Sequence, residues 1–382
     1  MKKMGYLIIV SLLTIVVASS VVCQDTKEGK QNVLVLERQS KNYDHSVVKK
    51  ITVMTHDSFS VSEEVVAVFE KQNNAKIIFL KAGDAGEALN KAILSKNNPL
   101  ADIFYGVDNT FLSRAIKADI FIPYSSSNLK DVDDTLKLDS ENRLLPVDFG
   151  DVCLNYDKKW FAEHHLSPPA MLEDLIKPEY KGLLAIQNPA TSSPGLAFLL
   201  TTVSRFGESG AFEFWKKLKN NDIFITNGWK EAYWGKFSAA SDGDRPIVVS
   251  YASSPAAEVH FAKDKDLSGK GEDASGKNSS LEAPTGVVTE NGSAFRQVEF
   301  AGILKGSANL ELAKKLIDFL LSETFQEDIP LQMFVFPANR NARLPEVFQK
   351  HARITALPAT LPYDQISEKR EIWIEKWTEL ML

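Results

Sequence analysis

LAIQNPATSSPGLAFLL, residues 184–200, joins a short apolar run, a hydroxyl-rich turn and a second apolar stretch rich in small residues. This order predicts a strand, a loop and then a helix. A helix start presents unpaired N–H groups and positive dipole potential, to which Thr191, Ser192 and Ser193 add hydroxyl donors. The turn therefore suits a bound anion or hydroxyl group, unless it serves only as a helix cap followed by Pro194.

Short β-branched runs alternate with amphipathic segments on both sides of this stretch. Strands are predicted at 51–54, 76–80, 102–105, 183–186, 223–226, 247–250 and 298–304. Helices are predicted at 62–72, 86–95, 109–118, 195–206, 210–220, 229–239, 255–261 and 310–321. Such alternation is typical of βαβ units on a mainly parallel sheet, so the predicted fold class is α/β.

The length and composition favour a soluble globular protein of two domains. The chain has 382 residues, of which 44% are hydrophobic and 25% charged, and a domain usually takes about 100–200 residues. The formal net charge of −6 gives no sign of a nucleic-acid or anionic-membrane partner.

The N-terminus has the organisation of a secretory signal peptide over residues 1–22. Lys2 and Lys3 precede the apolar run Gly5–Val17, which is too short for a transmembrane anchor. Two forms of the exported protein remain open: a soluble one, cleaved at the small residues that follow the run, and one lipid-anchored at Cys23. We expect a periplasmic or extracytoplasmic location and a polar linker over 23–49.

One further segment and one cysteine are predicted to take no part in binding or catalysis. Residues 263–291 are rich in Gly, Ser, Lys, Asp and Glu and have almost no apolar content, which favours a mobile surface insertion. Cys153 lies in an apolar run, where a buried inert thiol is expected rather than a nucleophile.

Polar residues recur directly after the predicted strands, where ligands of open α/β sheets bind. The loops are THDSF (55–59), YGVDN (105–109), TSSPG (191–195), NGWKEAY (227–233) and SYASSP (250–255). They offer the side chains of Asp57, Ser58, Asp108, Asn109 and Ser253. Each could be only a helix cap, but recurrence at successive strand ends favours a shared binding site.

Three aromatic residues in the same loops suit a planar or cationic ring. Trp229, Tyr233 and Tyr251 offer flat apolar faces with a polar edge. Core packing is the alternative, above all for Tyr233, which lies four residues beyond Trp229 on one helix face.

Catalytic and metal-binding motifs were not found. The chain has no G-x-S-x-G, H-E-x-x-H, Walker A or G-x-G-x-x-G motif, and only six histidines. We therefore expect a protein that is not an enzyme, without catalytic residues, metal ligands or a cofactor.

Eight segments occur in an order typical of one family. They are THDSF, ADIFYGVDN, LPVDFGDVCLNYDK, NPATSSPGLAFLL, TNGWKEAY, VVSYASSP, QVEFAGILKGSAN with AKKLIDFLLSETFQEDIP, and Trp373–Trp377. From Ile51 onward the chain resembles the periplasmic thiamine-binding proteins of ABC importers, a branch of the type II periplasmic binding proteins.

The resemblance implies two α/β lobes with the ligand in the cleft between them. Lobe 1 is expected at 50–147 plus about 300–332, and lobe 2 at 148–299 plus about 333–382, joined by crossing strands at 146–156 and near 295–304. Lobe closure around a small-molecule ligand would present it to the importer's membrane permease. We expect a monomer.

The resemblance also implies roles for the loop residues. Asp57 or Asp108, with Trp229 and Tyr251, would face the thiazolium cation. Thr191, Ser192, Ser193 and Gly195, together with Ser253, would hold the hydroxyethyl or phosphate end.

The chain departs from close relatives where the ring-binding aromatics are expected. It has Ala257 in place of a Tyr, Phe334 in place of a Trp and His56 in place of a Tyr. A receptor for a polyamine or ferric iron, and a secreted thiamine-processing enzyme, therefore stay open as alternatives.

Overall fold

The computed structural model describes residues 48–268 and 282–382, with side chains of 263–268 left aside. The predicted signal peptide, Cys23, most of the predicted linker and residues 269–281 lie outside the described residues. Val48–Leu382 form one compact unit.

Eleven strands are present in the described residues. They are β1 (Lys49–Thr55), β2 (Ala75–Lys81), β3 (Ile103–Asp108), β4 (Phe121–Ile122), β5 (Leu145–Asp157), β6 (Leu184–Gln187), β7 (Phe224–Thr226), β8 (Ile247–Tyr251), β9 (Thr285–Val288), β10 (Phe295–Leu304) and β11 (Phe336–Pro337).

Twelve α-helices accompany them in the same part of the chain. They are α1 (Glu63–Asn73), α2 (Ala85–Leu94), α3 (Leu112–Lys117), α4 (Lys158–Glu163), α5 (Ser193–Asn220), α6 (Trp229–Gly235), α7 (Ser254–Ser268), α8 (Leu310–Leu320), α9 (Glu323–Gln326), α10 (Ile329–Gln332), α11 (Glu346–His351) and α12 (Tyr363–Met381). Short 3₁₀ helices lie at Ser127–Asp131, Asp134–Leu136, Leu172–Ile176 and Pro178–Tyr180.

The sheet order β2-β1-β3-β10-β5-β8-β6-β7 divides the fold into two lobes. Strands β1, β2 and β3 pair in parallel in lobe 1, and β6 pairs in parallel with β7 and β8 in lobe 2. The long strands β5 and β10 run antiparallel to each other and connect the two sets. The predicted α/β, two-lobed type II fold and its two crossing strands are confirmed.

One expectation within lobe 2 is confirmed and one is corrected. The helices predicted at 195–206 and 210–220 both lie in α5, which is broken between them at Gly207, whose φ of 68° is not helical. The proposed irregular insertion 263–291 is regular at both ends, because α7 continues to Ser268 and Thr285–Val288 pairs with β5 as β9. Apolar Val287 and Val288 opposite Leu154 and Asn155 account for that strand.

The turn TSSPG is held tightly against the sheet. A Cβ on Gly195 would lie 2.4 Å from the carbonyl oxygen of Gln187, so only glycine lets α5 start this close to β6. At its other end α5 packs on α12, where the rings of Trp215 and Trp377 meet edge to face at 5.6 Å. Among the described helices, none combines the length and apolar content needed to cross a membrane.

Candidate functional site

A cavity of about 310 Å³ opens between the lobes at the strand ends. Lobe 1 contributes the loop after β1 and the end of β2. Lobe 2 contributes the starts of α5, α6 and α7. Its aromatic lining consists of Phe59, Trp229, Tyr233, Trp234, Tyr251, Phe261 and Phe334. Six of the residues predicted from the sequence lie in the lining: Ser58, Ser193, Trp229, Tyr233, Tyr251 and Phe334.

Trp229 and Tyr233 form one aromatic wall of the cavity. Their rings stack with centroids 4.9 Å apart and planes 15° from parallel. The Trp229 Nε1–H donates to Ser250 Oγ at 2.9 Å, which fixes the indole plane. The Tyr233 ring is buried and its hydroxyl donates to Glu258. Tyr233 thus supports Trp229 from behind, and the Trp229 face is the one offered to a ligand.

Three more rings surround the cavity mouth. Trp234 and Phe261 are 43% and 38% exposed, which is unusual for such large apolar side chains. The Phe261 ring lies 5.1 Å from Phe334 and 6.0 Å from Trp234. Phe261 follows the buried Ala257 by one helical turn of α7, and both line the cavity. Phe261 therefore brings an aromatic ring to the helix face on which Ala257 lacks one.

Phe334 has an unusual backbone conformation. Its φ is 54°, in the left-handed region that bulky residues rarely adopt. The Ser253 hydroxyl donates to the Phe334 carbonyl at 2.5 Å and holds this conformation. Ser253 is buried and outside the lining, so it positions Phe334.

Three carboxylates lie abreast beneath the cavity, where the lobes meet. Glu299 of β10 is in register with Asp108 of β3 on one side and with Asp148 of β5 on the other. The register of β10 shifts between Glu299 and Phe300 in the pairing with β5 and between Phe300 and Ala301 in the pairing with β3, an irregularity that redirects local side chains. All three are buried, and Glu299 reaches the cavity surface.

Burial and the neighbouring acids raise the pKa of two members of this row. The pKa of Asp148 lies well above its ordinary value, first because of burial and then because of Glu299. Tyr105, also buried, donates its hydroxyl to Asp148. Burial also raises the pKa of Asp108 to about 6, although hydrogen bonds from Ser193 and Thr110 limit the increase.

His56 lies beside Glu299 at the base of the cavity. Its Nε2 is 3.6 Å from a Glu299 oxygen, and both side chains are over nine-tenths buried. Burial lowers the pKa of His56, but Glu299, with smaller contributions from Asp84 and Asp57, outweighs that effect, so the pKa is raised. Gly106 makes room for the imidazole, since a Cβ there would lie 2.5 Å from His56 Cδ2.

The hydroxyl-rich turn is largely occupied by contacts within the protein. Ser193 donates to Asp108, and the Thr191 hydroxyl donates to the carbonyl of Asn227 at 2.6 Å. Ser192 is fully buried, and Thr191, Ser192 and Gly195 do not line the cavity. Ser192 occupies the N-cap position of α5 without a capping side-chain hydrogen bond, so the bonds of Thr191 and Ser193 are tertiary contacts. Ser193 and Pro194 are the residues of the turn at the cavity surface.

The remaining predicted residues act on the backbone around the site. The Asn109 side chain donates to the Arg296 carbonyl at 2.9 Å and accepts from the Val298 N–H at 3.0 Å, so it anchors β10. Asp57 meets the site through its carbonyl oxygen, and its carboxylate is not in the lining. Asp57, Asp108 and Asn109 are therefore brought near the cavity without facing it.

Four charged lining residues were not predicted as site residues: Lys81, Asp84, Lys230 and Glu299. Asp84 follows β2, so the strand-end rule applied to that strand would have found it. Lys230 lies within NGWKEAY, next to the aromatic residue that was selected. Glu299 had no local signal, because it lies in the middle of a crossing strand.

Neither a reactive cysteine nor a metal cluster occurs at the site. Cys153 is buried in β5 outside the lining, and burial raises the pKa of its thiol. Across residues 48–268 and 282–382, no group of three or more His, Cys, Asp and Glu side chains is arranged to hold a metal ion.

Comparison with known proteins assigns the class. The chain belongs to the bacterial extracellular solute-binding protein family, whose model matches residues 98–369. The family is a class of solute-binding proteins and not an enzyme class. Its membership implies a small-molecule ligand and an ABC transporter partner, and the periplasmic relatives place this protein in the periplasm.

Individual relatives are more specific. A thiamine-binding periplasmic protein of Brucella melitensis is 30% identical over 337 residues, covering 86% of this chain and 91% of the relative. The protein of that name from Escherichia coli K12 is 29% identical over 333 residues, with 86% and 92% covered. A solved periplasmic thiamin binding protein superposes with a TM-score of 0.75 at 27% identity, covering 88% and 98% of the two chains.

A ferric binding protein from Campylobacter jejuni has the same fold. It superposes with a TM-score of 0.68 at 18% identity, covering 86% of this chain and 99% of its own. At this identity the likeness concerns the fold alone.

Proposed function

We propose that this protein binds thiamine or its phosphate esters in the periplasm and delivers them to an ABC import permease. The observation that carries the proposal is that one cavity is lined both by the Trp229 face and by Glu299, the middle member of the carboxylate row. Thiamine combines a flat aminopyrimidine with a permanently cationic thiazolium. An aromatic face and a buried carboxylate are the two groups that attract such a cation.

Contacts between the lobes support delivery by closure. The Gly86 N–H donates to the Thr191 carbonyl at 3.1 Å, and Lys230 Nζ donates to the Asp57 carbonyl at 2.7 Å. A ligand between the lobes adds contacts that exist only in the closed form, which shifts the equilibrium toward closure. We further propose that the lobe boundaries lie near residues 147, 300 and 332. We also propose that the protein is a monomer and has no nucleic-acid partner.

The protein is further proposed to bind without turnover. The nucleophile that a thiamine-cleaving enzyme needs is not supplied by Cys153, which is buried away from the cavity with a raised pKa. Thiamine incubated with the protein should be recovered unchanged by chromatography. Appearance of free thiazole or pyrimidine would contradict a pure receptor.

A polyamine receptor is the second candidate, since acids next to aromatic rings also suit a linear polycation. Asp84 and Glu299 line the cavity together with Trp229, which favours it. The ammonium groups of Lys81 and Lys230 at the same cavity oppose it, because they repel a polycation.

Calorimetric titration of protein purified from the periplasm tests these alternatives. We expect saturable 1:1 binding of thiamine, its monophosphate or its diphosphate, and no response to spermidine or ferric ion. Silence toward all three thiamine forms would overturn the proposed ligand, and tight spermidine binding would support the second candidate.

A further inference from the structure

Two lysines from different lobes converge at the cavity. Lys81 ends β2 in lobe 1, and Lys230 is the second residue of α6 in lobe 2. Their Nζ atoms lie 3.3 and 2.7 Å from the same acceptor, the carbonyl oxygen of Asp57. The two ammonium groups are therefore close neighbours, and both side chains line the cavity.

These two charges have no directly paired carboxylate. In the described parts of the chain, neither lysine forms an ion pair with a carboxylate within 4 Å. Partial burial lowers the pKa of Lys81 and the charge of Lys230 lowers it further, while the more distant Asp57 carboxylate raises it in part. Two like charges held together are unfavourable until an anion lies between them.

The hydroxyl-rich turn offers less to an anion than its sequence suggests. Thr191 and Ser193 use their hydroxyls on the Asn227 carbonyl and the Asp108 carboxylate. Asp108 itself adds a negative neighbour, although its raised pKa of about 6 weakens that effect. An anionic ligand group is thus better accommodated at Lys81 and Lys230, with the Ser58 hydroxyl in the same lining.

The cavity carries charged groups of both signs. The carboxyl groups of Asp84 and Glu299 and the ammonium groups of Lys81 and Lys230 line it together. This pattern matches a ligand with a cationic ring at one end and a phosphoryl group at the other.

We propose that Lys81 and Lys230 form a subsite for the phosphoryl end of the ligand and make this protein selective for phosphate esters over the free alcohol. This inference rests on the proposed function. Because each lysine comes from a different lobe, a phosphoryl group bound by both also holds the lobes together. Phosphorylation of the ligand thereby stabilises the closed form.

The test compares thiamine, thiamine monophosphate and thiamine diphosphate on the full processed protein and on K81Q, K230Q and the double variant. Glutamine removes the charge and keeps an N–H donor, on a side chain one bond shorter. Each single change should weaken diphosphate binding about five- to tenfold, and change thiamine binding less than about twofold. K81R and K230R should retain the preference.

K216Q is the matched control, since Lys216 is an exposed lysine of α5 outside the cavity lining. It should leave all three affinities unchanged. Raising the salt concentration should weaken the diphosphate complex more than the thiamine complex, and this difference should vanish in the double variant.

The possible results separate this inference from the proposed function. Equal losses for all three ligands, or none for the diphosphate, would overturn the subsite while leaving a thiamine receptor. If wild-type protein binds no thiamine form, the proposed function fails, and inorganic diphosphate then tests the subsite alone. It should raise the Tm of wild-type protein and not of the double variant, and equal Tm shifts would overturn the subsite.

Discussion

Asp84 and Trp229, 145 positions apart in the chain, are joined across the cleft by a hydrogen bond of 3.1 Å from the Trp229 N–H to the Asp84 carboxylate. The same carboxylate accepts the Ala85 N–H at 2.8 Å, as N-cap of α2. One side chain thus links the starts of two helices from opposite lobes. One of these helices begins at Trp229, whose indole forms the cavity wall. Binding of a ligand ring is therefore coupled to closure of the lobes.

Asp84→Ala should therefore weaken ligand binding and favour an open form. It removes the bond to Trp229 together with the α2 cap, and we expect about tenfold weaker binding and a loss of about 1 kcal/mol in stability. Titration gives the affinity, and small-angle scattering with ligand present shows whether the lobes still close. Ser62→Ala is the control, since it removes the cap bond to the Val65 N–H of α1 outside the cavity lining. Equal affinity losses in the two variants would contradict the link.

Trp229→Ala should remove the principal ring contact. We expect a loss of about 1–3 kcal/mol in binding free energy, from the stacking and cation–π interactions of the indole. Ligand-induced quenching of tryptophan fluorescence should decrease as well, with Trp234 left as the tryptophan of the lining. Trp160→Ala is the matched control, because Trp160 stacks on His164 at 3.8 Å outside the cavity lining. Wild-type affinity in Trp229→Ala would make Trp229 a packing residue.

The fold could be predicted from the sequence because its elements are short and locally encoded. The seven predicted strands all appear within a few residues of their expected bounds. The break in α5 at Gly207 also falls between the two helices predicted at 195–206 and 210–220. The ends of 263–291 were not predicted, since β9 exists through pairing with the distant β5.

The site was predicted only in part, for a related reason. Strand-end loops are local, so Trp229, Tyr233 and Tyr251 could be found in them. Glu299 faces the cavity because a bulge and two long-range strand pairings place it there, which no local pattern encodes. Asp108 is the opposite case. Its loop position suggested a ligand contact, but in the fold its carboxylate accepts a hydrogen bond from Ser193.

Stability should decrease as the pH rises from about 4.5 to 7. Burial raises the pKa of Glu258 to about 7 and that of Asp108 to about 6. Their native forms therefore hold protons that the unfolded chain releases at lower pH, which stabilises the fold in acid and is lost as pH rises through the native values. The raised pKa of His56 acts in the same direction, since the stabilisation by its protonation is lost as pH rises through the native value. Glu208 opposes this trend only in strong acid, because two lysines lower its pKa to about 2.

Glu258→Gln isolates one part of this dependence. Glutamine carries no charge at any pH, so the decrease in the free energy of unfolding between pH 5 and 8 should shrink by a few kcal/mol. Urea unfolding at both pH values measures it. Glu213→Gln, at an exposed position of α5, should leave the decrease in the free energy of unfolding unchanged. An unaltered slope in Glu258→Gln would show that Glu258 ionises as readily in the native protein as in the unfolded chain.

Gly195→Ala should destabilise the turn that decides the fold. The added Cβ would lie 2.4 Å from the Gln187 carbonyl oxygen and 2.8 Å from its carbon, and both are backbone atoms that cannot turn aside. The start of α5 must then move away from β6, at an expected cost of about 1–3 kcal/mol. Because Ser193 lines the cavity in the first turn of α5, ligand affinity should fall as well. Gly235→Ala is the matched control, since a Cβ there meets nothing within 4 Å, and its stability should stay the same or rise by about 0.5–1 kcal/mol. Thermal unfolding of the two variants measures the difference, and equal Tm values would mean that glycine at 195 is not required by close packing.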